Sequence, residues 1–450
     1  MKAGSTYAAA RRSARPAPKI YGLIQPASRT AWSISGLSAL EDAPSMKTVI
    51  VGAGQAGAWV ARALRQHSRE AEIVLLGQEP HPPYERPPLS KAVMSGAQPG
   101  PPCLLSVRQA HELDIQLKLG ATAVGIDRGR RQVMLAQEPP LSYDTLVLAT
   151  GGKARRPGIP GGNLDGVYTL RSLDDAVQLR SALQAGRRLL VVGGGWIGLE
   201  LAATARLLGL QVCVIESGPR LCARSVPAGV SDFLLRLHRA QGVEVQLDGA
   251  VTAIERPENG GPLQAHTHRG LRQADVIVFG IGLEPDTALA SACGLQVDNG
   301  IVVDAHCRTS DPSIYAIGDV ANQPCAWPGA PAGARIRLES WANAQNQGIA
   351  VGHALSGKAP GQQDLPWFWS DQYDVNLQVL GIPSDAGTHV MRGSVEEAKF
   401  CVFQLVGDRL HSVIAVNMPK ELKLAKRWHK RERYPGGAHL QDPAVQLERL

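Results

Sequence analysis

Thr48-Val49-Ile50-Val51-Gly52-Ala53-Gly54-Gln55-Ala56-Gly57 runs four residues of buried-strand type straight into a glycine-rich turn. The spacing is GxGxxG, the pattern of a dinucleotide-binding turn. In that reading Gly52 makes the tight turn, Gly54 lets backbone approach a pyrophosphate, and Gly57 lets the next helix pack on the strand. Residues 58–66 continue as a helix whose first amides would face the phosphates. The same spacing also occurs in ordinary strand-to-helix turns, so one copy does not decide the matter. A second copy does: Leu189-Leu190-Val191-Val192-Gly193-Gly194-Gly195-Trp196-Ile197-Gly198, with Gly193 lying 141 residues after Gly52. Its helix runs through 201–208 and its next strand is 211–215. Glu216 follows Gly198 by 18 residues, where an acid accepts hydrogen bonds from a ribose 2′-hydroxyl and repels a 2′-phosphate. NAD is therefore expected there in preference to NADP. In the first unit the corresponding strand, 72–76, ends near Gln78 and Glu79 instead. Two complete strand–glycine–helix–strand units imply two dinucleotides on one α/β chain.

The bulk composition agrees with that class. The chain has 450 residues, 44% of them hydrophobic, and its 48 glycines and 31 prolines suit many strand-to-helix turns. No apolar run is long enough for a membrane helix. The seven cysteines show no CxxC spacing. That argues against a zinc site, an iron–sulfur cluster or a redox-active disulphide, and fits buried free thiols in a reducing cytoplasm. The formal charge of +7 would suit an acidic partner such as nucleic acid, but more than half of it comes from Lys2, Arg11, Arg12, Arg15, Lys19 and Arg29 against Glu41 and Asp42. Residues 1–45, rich in Ala, Ser, Arg and Pro, read as a disordered tail or an over-extended start ahead of Met46, with an organelle transit peptide as the alternative.

Between and beyond the two units, residues 81–91 are too rich in proline for a helix or strand interior and read as a stiff loop, one that carries Arg86 and Lys91 toward any anionic ligand. Strands are expected around 115–119, 122–126, 132–135, 146–150, 243–247, 275–282 and 313–321, the last ending at Asp319. Helices are expected at 174–183, 227–241 and 339–355, the last built mostly from small and amide residues. From residue 366 the pattern alternates, in segments around 376–380, 400–406 and 409–416, and predicts an antiparallel sheet. A basic helix follows at 420–433, either a solvated face or a docking surface.

Six stretches, PPYERPPLSK (82–91), LVLATGGKARRP (146–157), GGGWIGLELAATAR (193–206), GIGLEPD (280–286), TSDPSIYAIGDVA (309–321) and PWFWSDQY (366–373), resemble the FAD-dependent pyridine-nucleotide oxidoreductases. The resemblance is to NADH-dependent ferredoxin reductases of bacterial oxygenase systems, of the phenylpropionate and biphenyl dioxygenase type, with putidaredoxin reductase a further relative. It implies two Rossmann-like domains of glutathione reductase type plus a C-terminal α+β domain: 46–156 with 284–362 for FAD, 157–283 for NAD, and 363–450 at the C-terminus. It assigns FAD to the first turn, with Gly52, Gly54, Ala56, Gly57, Gln78, Glu79, Arg86, Lys91, Ala123, Arg171, Asp319 and Trp341 as its site. NAD falls to Gly193, Gly195, Ile197, Gly198, Glu200, Glu216, Arg224 and Gly282. Relatives often carry an acid where Gln78 stands, which leaves either Glu79 or the Gln78 amide for the adenosine ribose. Lys91, Glu200 and Trp369 become the catalytic candidates: Lys91 beside the flavin and paired with Glu200, and Trp369, with Trp367, between flavin and an external [2Fe–2S] ferredoxin. Trp369 reads equally as core packing. No metal, membrane or nucleic-acid partner is implied, and the chain is expected as a monomer or homodimer. Two other readings stand beside this one. An NADH oxidase or peroxidase would need a redox cysteine that 87–91 lacks, and a flavoprotein of apoptosis-inducing type would act through protein or DNA binding by way of the basic C-terminal segment.

Overall fold

The computed structural model describes residues 46–450 apart from 259, 326, 328, 329, 360–364 and 385. The tail expected over 1–45 lies outside the described residues. Around Lys47–Val51 the chain builds a five-stranded parallel sheet in the order Ile314–Ala316, Thr145–Leu148, Lys47–Val51, Glu72–Gly77, Ile115–Leu119. Val49, Ile50, Val74, Leu75, Leu146 and Val147 have essentially no exposed surface. Burying each such side chain contributes roughly 1.5–3 kcal/mol, and covering both faces is why these strands are continuous apolar runs instead of alternating ones.

The second glycine turn repeats the arrangement in another five-stranded parallel sheet, ordered Glu244–Gln246, Gln211–Ile215, Arg188–Val192, Val276–Phe279, Val167–Thr169. The strand Ile314–Ala316 returns to the first sheet after the second is complete. Leu283–Pro285 pairs antiparallel with Gly152–Ala154 where the chain passes between the two.

One side of the first sheet is closed by Gln55–His67 together with Trp341–Leu355. The small residues of the second helix have a plain purpose. A Cβ on Gly348 would stand 2.7 Å from the Ala56 carbonyl oxygen, and one on Gly352 would stand 2.6 Å from the Ala63 Cβ. The amides on the same helix are used too: Gln347 Oε1 accepts from the Gly318 amide at 2.7 Å, and Gln347 Nε2 donates to Gln323 at 2.8 Å. Together they fix the turn that carries Asp319.

The C-terminal part is a five-stranded antiparallel sheet, ordered Trp367–Gln372, Val375–Gly381, Arg409–Val416, Lys399–Val406, Thr388–Ser394. Pro419–Lys430 buries Leu422, Ala425 and Trp428, spaced three apart, on that sheet. Its lysines and arginines lie on other faces. Phe400 meets Phe233 of the Ala228–Ala240 helix edge to face at 5.1 Å, so the cores of the second and third sheets are continuous.

Four expectations need correction. Residues 87–90 form a short 3₁₀ turn, because proline, fixed near helical φ and lacking an amide hydrogen, suits the first positions of a helix. The strand expected over 313–321 stops at Ala316; Gly318, at φ +74°, turns the chain into a 3₁₀ segment, Gly318–Val320, that presents Asp319. The strand expected over 275–282 is only Val276–Phe279. Of the seven free cysteines Cys222, Cys307 and Cys401 are buried, whereas Cys103 is exposed.

Candidate functional site

The two glycine turns face a shared cavity of about 1780 Å³. Each is built the same way. Gly52 has φ +115° and Gly193 has φ +111°, a region that favours glycine. A Cβ on Gly52 would stand 2.2 Å from the Ala149 carbonyl oxygen, and one on Gly193 would stand 2.5 Å from that of Gly280. A Cβ on Gly57 would collide with Gly52 O at 2.0 Å, and one on Gly198 with Gly193 O at 2.2 Å. These two glycines let the helix lie on its strand, and neither lines the cavity. Gly54 and Gly195 do line it, with no protein atom closer than 4.0 Å to their absent side chains. Each turn thus offers bare backbone and a helix N-terminus to a ligand, which fits a pyrophosphate.

Every other residue singled out from the sequence also lines this cavity: Ala56, Gln78, Glu79, Arg86, Lys91, Ala123, Arg171, Asp319, Trp341, Ile197, Glu200, Glu216, Arg224, Gly282 and Trp369. Lys91 and Glu200 pair at 2.9 Å, and both are largely buried. Ser90 donates to the same Glu200 oxygen at 2.5 Å and Ser370 to the other at 2.8 Å, so all three neighbours of this carboxylate are donors. That is the arrangement a carboxylate anion requires.

At the end of its strand Glu216 accepts from the Gly194 amide at 2.6 Å and the Gly218 amide at 2.8 Å, which sets a fixed negative charge beside the second turn. The first turn differs. Glu79 is turned onto Arg86 at 2.7 Å and onto the Tyr84 hydroxyl at 2.5 Å, while Gln78 is exposed. Burial raises the Tyr84 pKa, so the phenol keeps its proton for Glu79. Arg86 also donates to the Arg171 carbonyl at 2.6 Å. Arg86, expected to face an anionic ligand, lines the cavity with its guanidinium bonded to Glu79, Tyr84 and backbone. Arg171 donates to Asp319 at 2.9 Å and to the Gly152 carbonyl at 3.1 Å, which joins two distant walls of the cavity. Arg224 is exposed at the rim near Gly282 and makes no ion pair among the described residues. Ile197, 48% exposed, gives that side an apolar surface.

Trp341, Trp369 and Trp367 form a run of rings. Trp341 and Trp369 meet edge to face at 5.9 Å, Trp369 and Trp367 stack at 5.1 Å, and the Lys426 ammonium lies 4.8 Å from the Trp367 ring centroid. Cys222 also lines the cavity, but burial, reinforced by Glu216 and Glu200, pushes its thiol up, away from the thiolate that redox exchange needs.

Sequence reasoning missed Ser90 and Ser370. Ser90 stands in the PPLSK segment beside Lys91, and the alternation of WFWSDQ already separates Ser370 and Gln372 from the stacked face of Trp367 and Trp369. What no local signal supplies is the approach of residue 370 to residue 200.

Residues 46–348 match the pyridine nucleotide-disulphide oxidoreductase family, and residues 367–450 match the reductase C-terminal family. Rhodocoxin reductase of Rhodococcus erythropolis is 41% identical over 386 residues, 85% of this chain and 89% of the relative. The ferredoxin–NAD(+) reductase component of the anthranilate 1,2-dioxygenase system of Burkholderia cepacia is 41% identical over 409 residues, 89% of this chain and 98% of its own. Among solved structures the reductase in the covalent putidaredoxin reductase–putidaredoxin complex superposes with a TM-score of 0.85 at 37% identity, covering 90% of this chain and 97% of that one. The chain, with its two glycine turns facing one cavity, belongs to the pyridine nucleotide-disulphide oxidoreductase family, in its group of ferredoxin–NAD(+) reductases.

Proposed function

We propose that the protein passes electrons from NADH through a resident FAD to a small [2Fe–2S] ferredoxin that serves an oxygenase, in the cytoplasm. The observation that carries this reading is the Lys91–Glu200 ion pair inside the one cavity that both glycine turns face. FAD, when bound, supplies a ring system that accepts a hydride from NADH and gives up electrons singly. The chain supplies the rest. Gly54 and the start of Gln55–His67 would hold the flavin pyrophosphate, with the Arg171–Asp319 pair closing the site from the far side. Gly195, Glu216 and the apolar face of Ile197 would hold NADH, Glu216 rejecting a 2′-phosphate by charge. Lys91, fixed by Glu200, places positive charge where negative charge develops, without reorganising at the moment of reaction. Trp369 and Trp367 would carry electrons from the cavity toward the partner, beside the basic Pro419–Lys430 helix, whose Lys426 lies over the Trp367 ring. All seven cysteines are free, in keeping with a cytoplasmic setting. No helix of the described residues is long and apolar enough to cross a membrane.

The test is NADH-dependent reduction of cytochrome c by the purified flavoprotein with and without a [2Fe–2S] ferredoxin. Turnover that depends on the ferredoxin is the expected result. Equal turnover in its absence, with oxygen consumed instead, would replace this reading with an oxidase.

A further inference from the structure

We propose that Ser370, Gln372 and His238 are positioning residues that hold the Glu200 carboxylate against Lys91 through a one-way chain of hydrogen bonds. The inference rests on the reading above, in which Lys91 acts at the flavin. Ser370 Oγ donates to Glu200 Oε1 at 2.8 Å. Gln372 Nε2 donates to Ser370 Oγ at 3.0 Å, Gln372 Oε1 faces His238 Nε2 at 2.8 Å, and His238 Nδ1 faces the Tyr373 hydroxyl at 3.2 Å.

The direction of the chain follows from its end. Glu200, paired with Lys91, only accepts, so Ser370 must give it the hydroxyl proton. Ser370 must then take its own hydrogen bond from an N–H, which fixes the Gln372 amide with Nε2 toward serine and Oε1 toward histidine. That oxygen accepts only, so His238 carries its proton on Nε2, and Nδ1 is left to accept from Tyr373. Burial lowers the His238 pKa, only partly offset by the bond to Gln372, which keeps the ring in this neutral form. Every donor along the path points toward Glu200.

Three elements supply the chain: the Trp196–Leu207 helix carries Glu200, the Trp367–Gln372 strand carries Ser370 and Gln372, and the Ala228–Ala240 helix carries His238. Ser370, Gln372 and His238 are 1%, 2% and 0% exposed, and none of them lines the cavity. Their hydrogen-bonded route to the cavity runs through Glu200. Ser90 and Lys91 hold only one oxygen of that carboxylate; Ser370 holds the other. Without Ser370 the group is free to rotate, and the Lys91 ammonium loses its fixed seat.

The test follows the loss of flavin absorbance when the flavin-loaded protein is mixed with NADH under anaerobic conditions. Ser370→Ala should slow it about tenfold, the equivalent of one hydrogen bond to a charged group, with NADH affinity within about twofold of wild type. Gln372→Met should slow it about threefold, and the Ser370→Ala/Gln372→Met double variant should be no slower than Ser370→Ala alone, because both act along one path. Ser370→Thr, which keeps the hydroxyl, should restore the rate. Independently of turnover, the midpoint potential of the bound flavin in Ser370→Ala should move toward that of Lys91→Ala. An unchanged rate and potential in Ser370→Ala, or losses that multiply in the double variant, would overturn the proposal. Should Ser370→Ala fail to retain flavin, Ser370→Cys, a weak donor of similar size, gives the same reading. Wild-type protein whose flavin NADH does not bleach would overturn the function proposed above instead.

Discussion

The two glycine turns are copies in backbone and differ in charge. Gly52 and Gly193 share a left-handed φ and the same close approach to a neighbouring carbonyl, and Gly54 and Gly195 leave the same bare backbone. One strand later they part. Glu216 stays at the second turn, held there by two backbone amides, whereas the first turn's acid, Glu79, is drawn off to Arg86 and Tyr84 and leaves the neutral Gln78 exposed. On the proposed reading the common backbone would serve a dinucleotide at either turn, and the strand-end acid at the second would disfavour a 2′-phosphate there. A fixed carboxylate selects by repelling a phosphate. A neutral amide selects nothing by charge, and there Asp319, Arg171 and Trp341, from distant parts of the chain, also line the cavity.

The two turns separate most sharply if one can be destroyed without the other. Gly52→Ala forces a Cβ to 2.2 Å from the Ala149 oxygen at φ +115°, a strain of more than about 3 kcal/mol. Purified Gly52→Ala should carry almost no flavin by absorbance. Gly193→Ala meets the same strain at the second turn, yet should keep its flavin and lose NADH binding by on the order of a hundredfold in KM. If both variants lose flavin equally, the division of labour between the turns is wrong.

Lys91 lies between the turns and belongs to neither. Lys91→Ala should slow flavin reduction by about a hundredfold while the NADH dissociation constant changes by less than about threefold, because the cation acts on charge that develops only in the reaction. Stopped-flow traces identical to wild type would remove it from the mechanism. Next in size is the strand-end acid. Glu216→Gln removes the charge and keeps one of the two acceptor oxygens, so kcat/KM for NADPH should rise about tenfold with NADH weakened less than by Glu216→Ala. Glu216→Ala also strands the amides of Gly194 and Gly218 and should weaken NADH as well. An unchanged cofactor preference in both variants would mean that selection lies elsewhere on the cavity wall.

What could be read from the sequence was what is local. A strand, a glycine turn and a helix are specified by neighbours in the chain, and so was the distance to Glu216. Arg86 bonds to Glu79, seven residues before it, and to the Arg171 carbonyl 85 residues after it, and charge type alone does not reveal whether a guanidinium already has partners. The donors on Glu200 come from 110 and 170 residues away. Period-two alternation shows that Ser370 and Trp369 face opposite ways, but not what either one meets. The density of prolines over 81–91 predicts a stiff loop, although Pro87 and Pro88 occupy the first positions of a 3₁₀ turn, which proline favours.

The smallest effect gives the finest test of the difference between the turns. If Gln78 is the group that faces the adenosine ribose, Gln78→Glu makes the first turn resemble the second by replacing a neutral acceptor with a charged one. Hydrogen bonds to a charged acceptor exceed those to a neutral one by about 1 kcal/mol, so FAD release should slow roughly fivefold, measured as flavin fluorescence recovered after dilution. Glu79→Gln should act in the other direction and by a different route. It leaves the guanidinium of Arg86 without its counter-charge and the Tyr84 hydroxyl with a weaker acceptor, which loosens the wall and not the ribose contact. That variant should lower thermal stability of the flavin-loaded protein along with flavin retention, whereas Gln78→Glu should change retention alone. If instead Glu79→Gln speeds FAD release at unchanged stability, Glu79 leaves Arg86 to meet the ribose, and the two turns are more alike than their free side chains suggest.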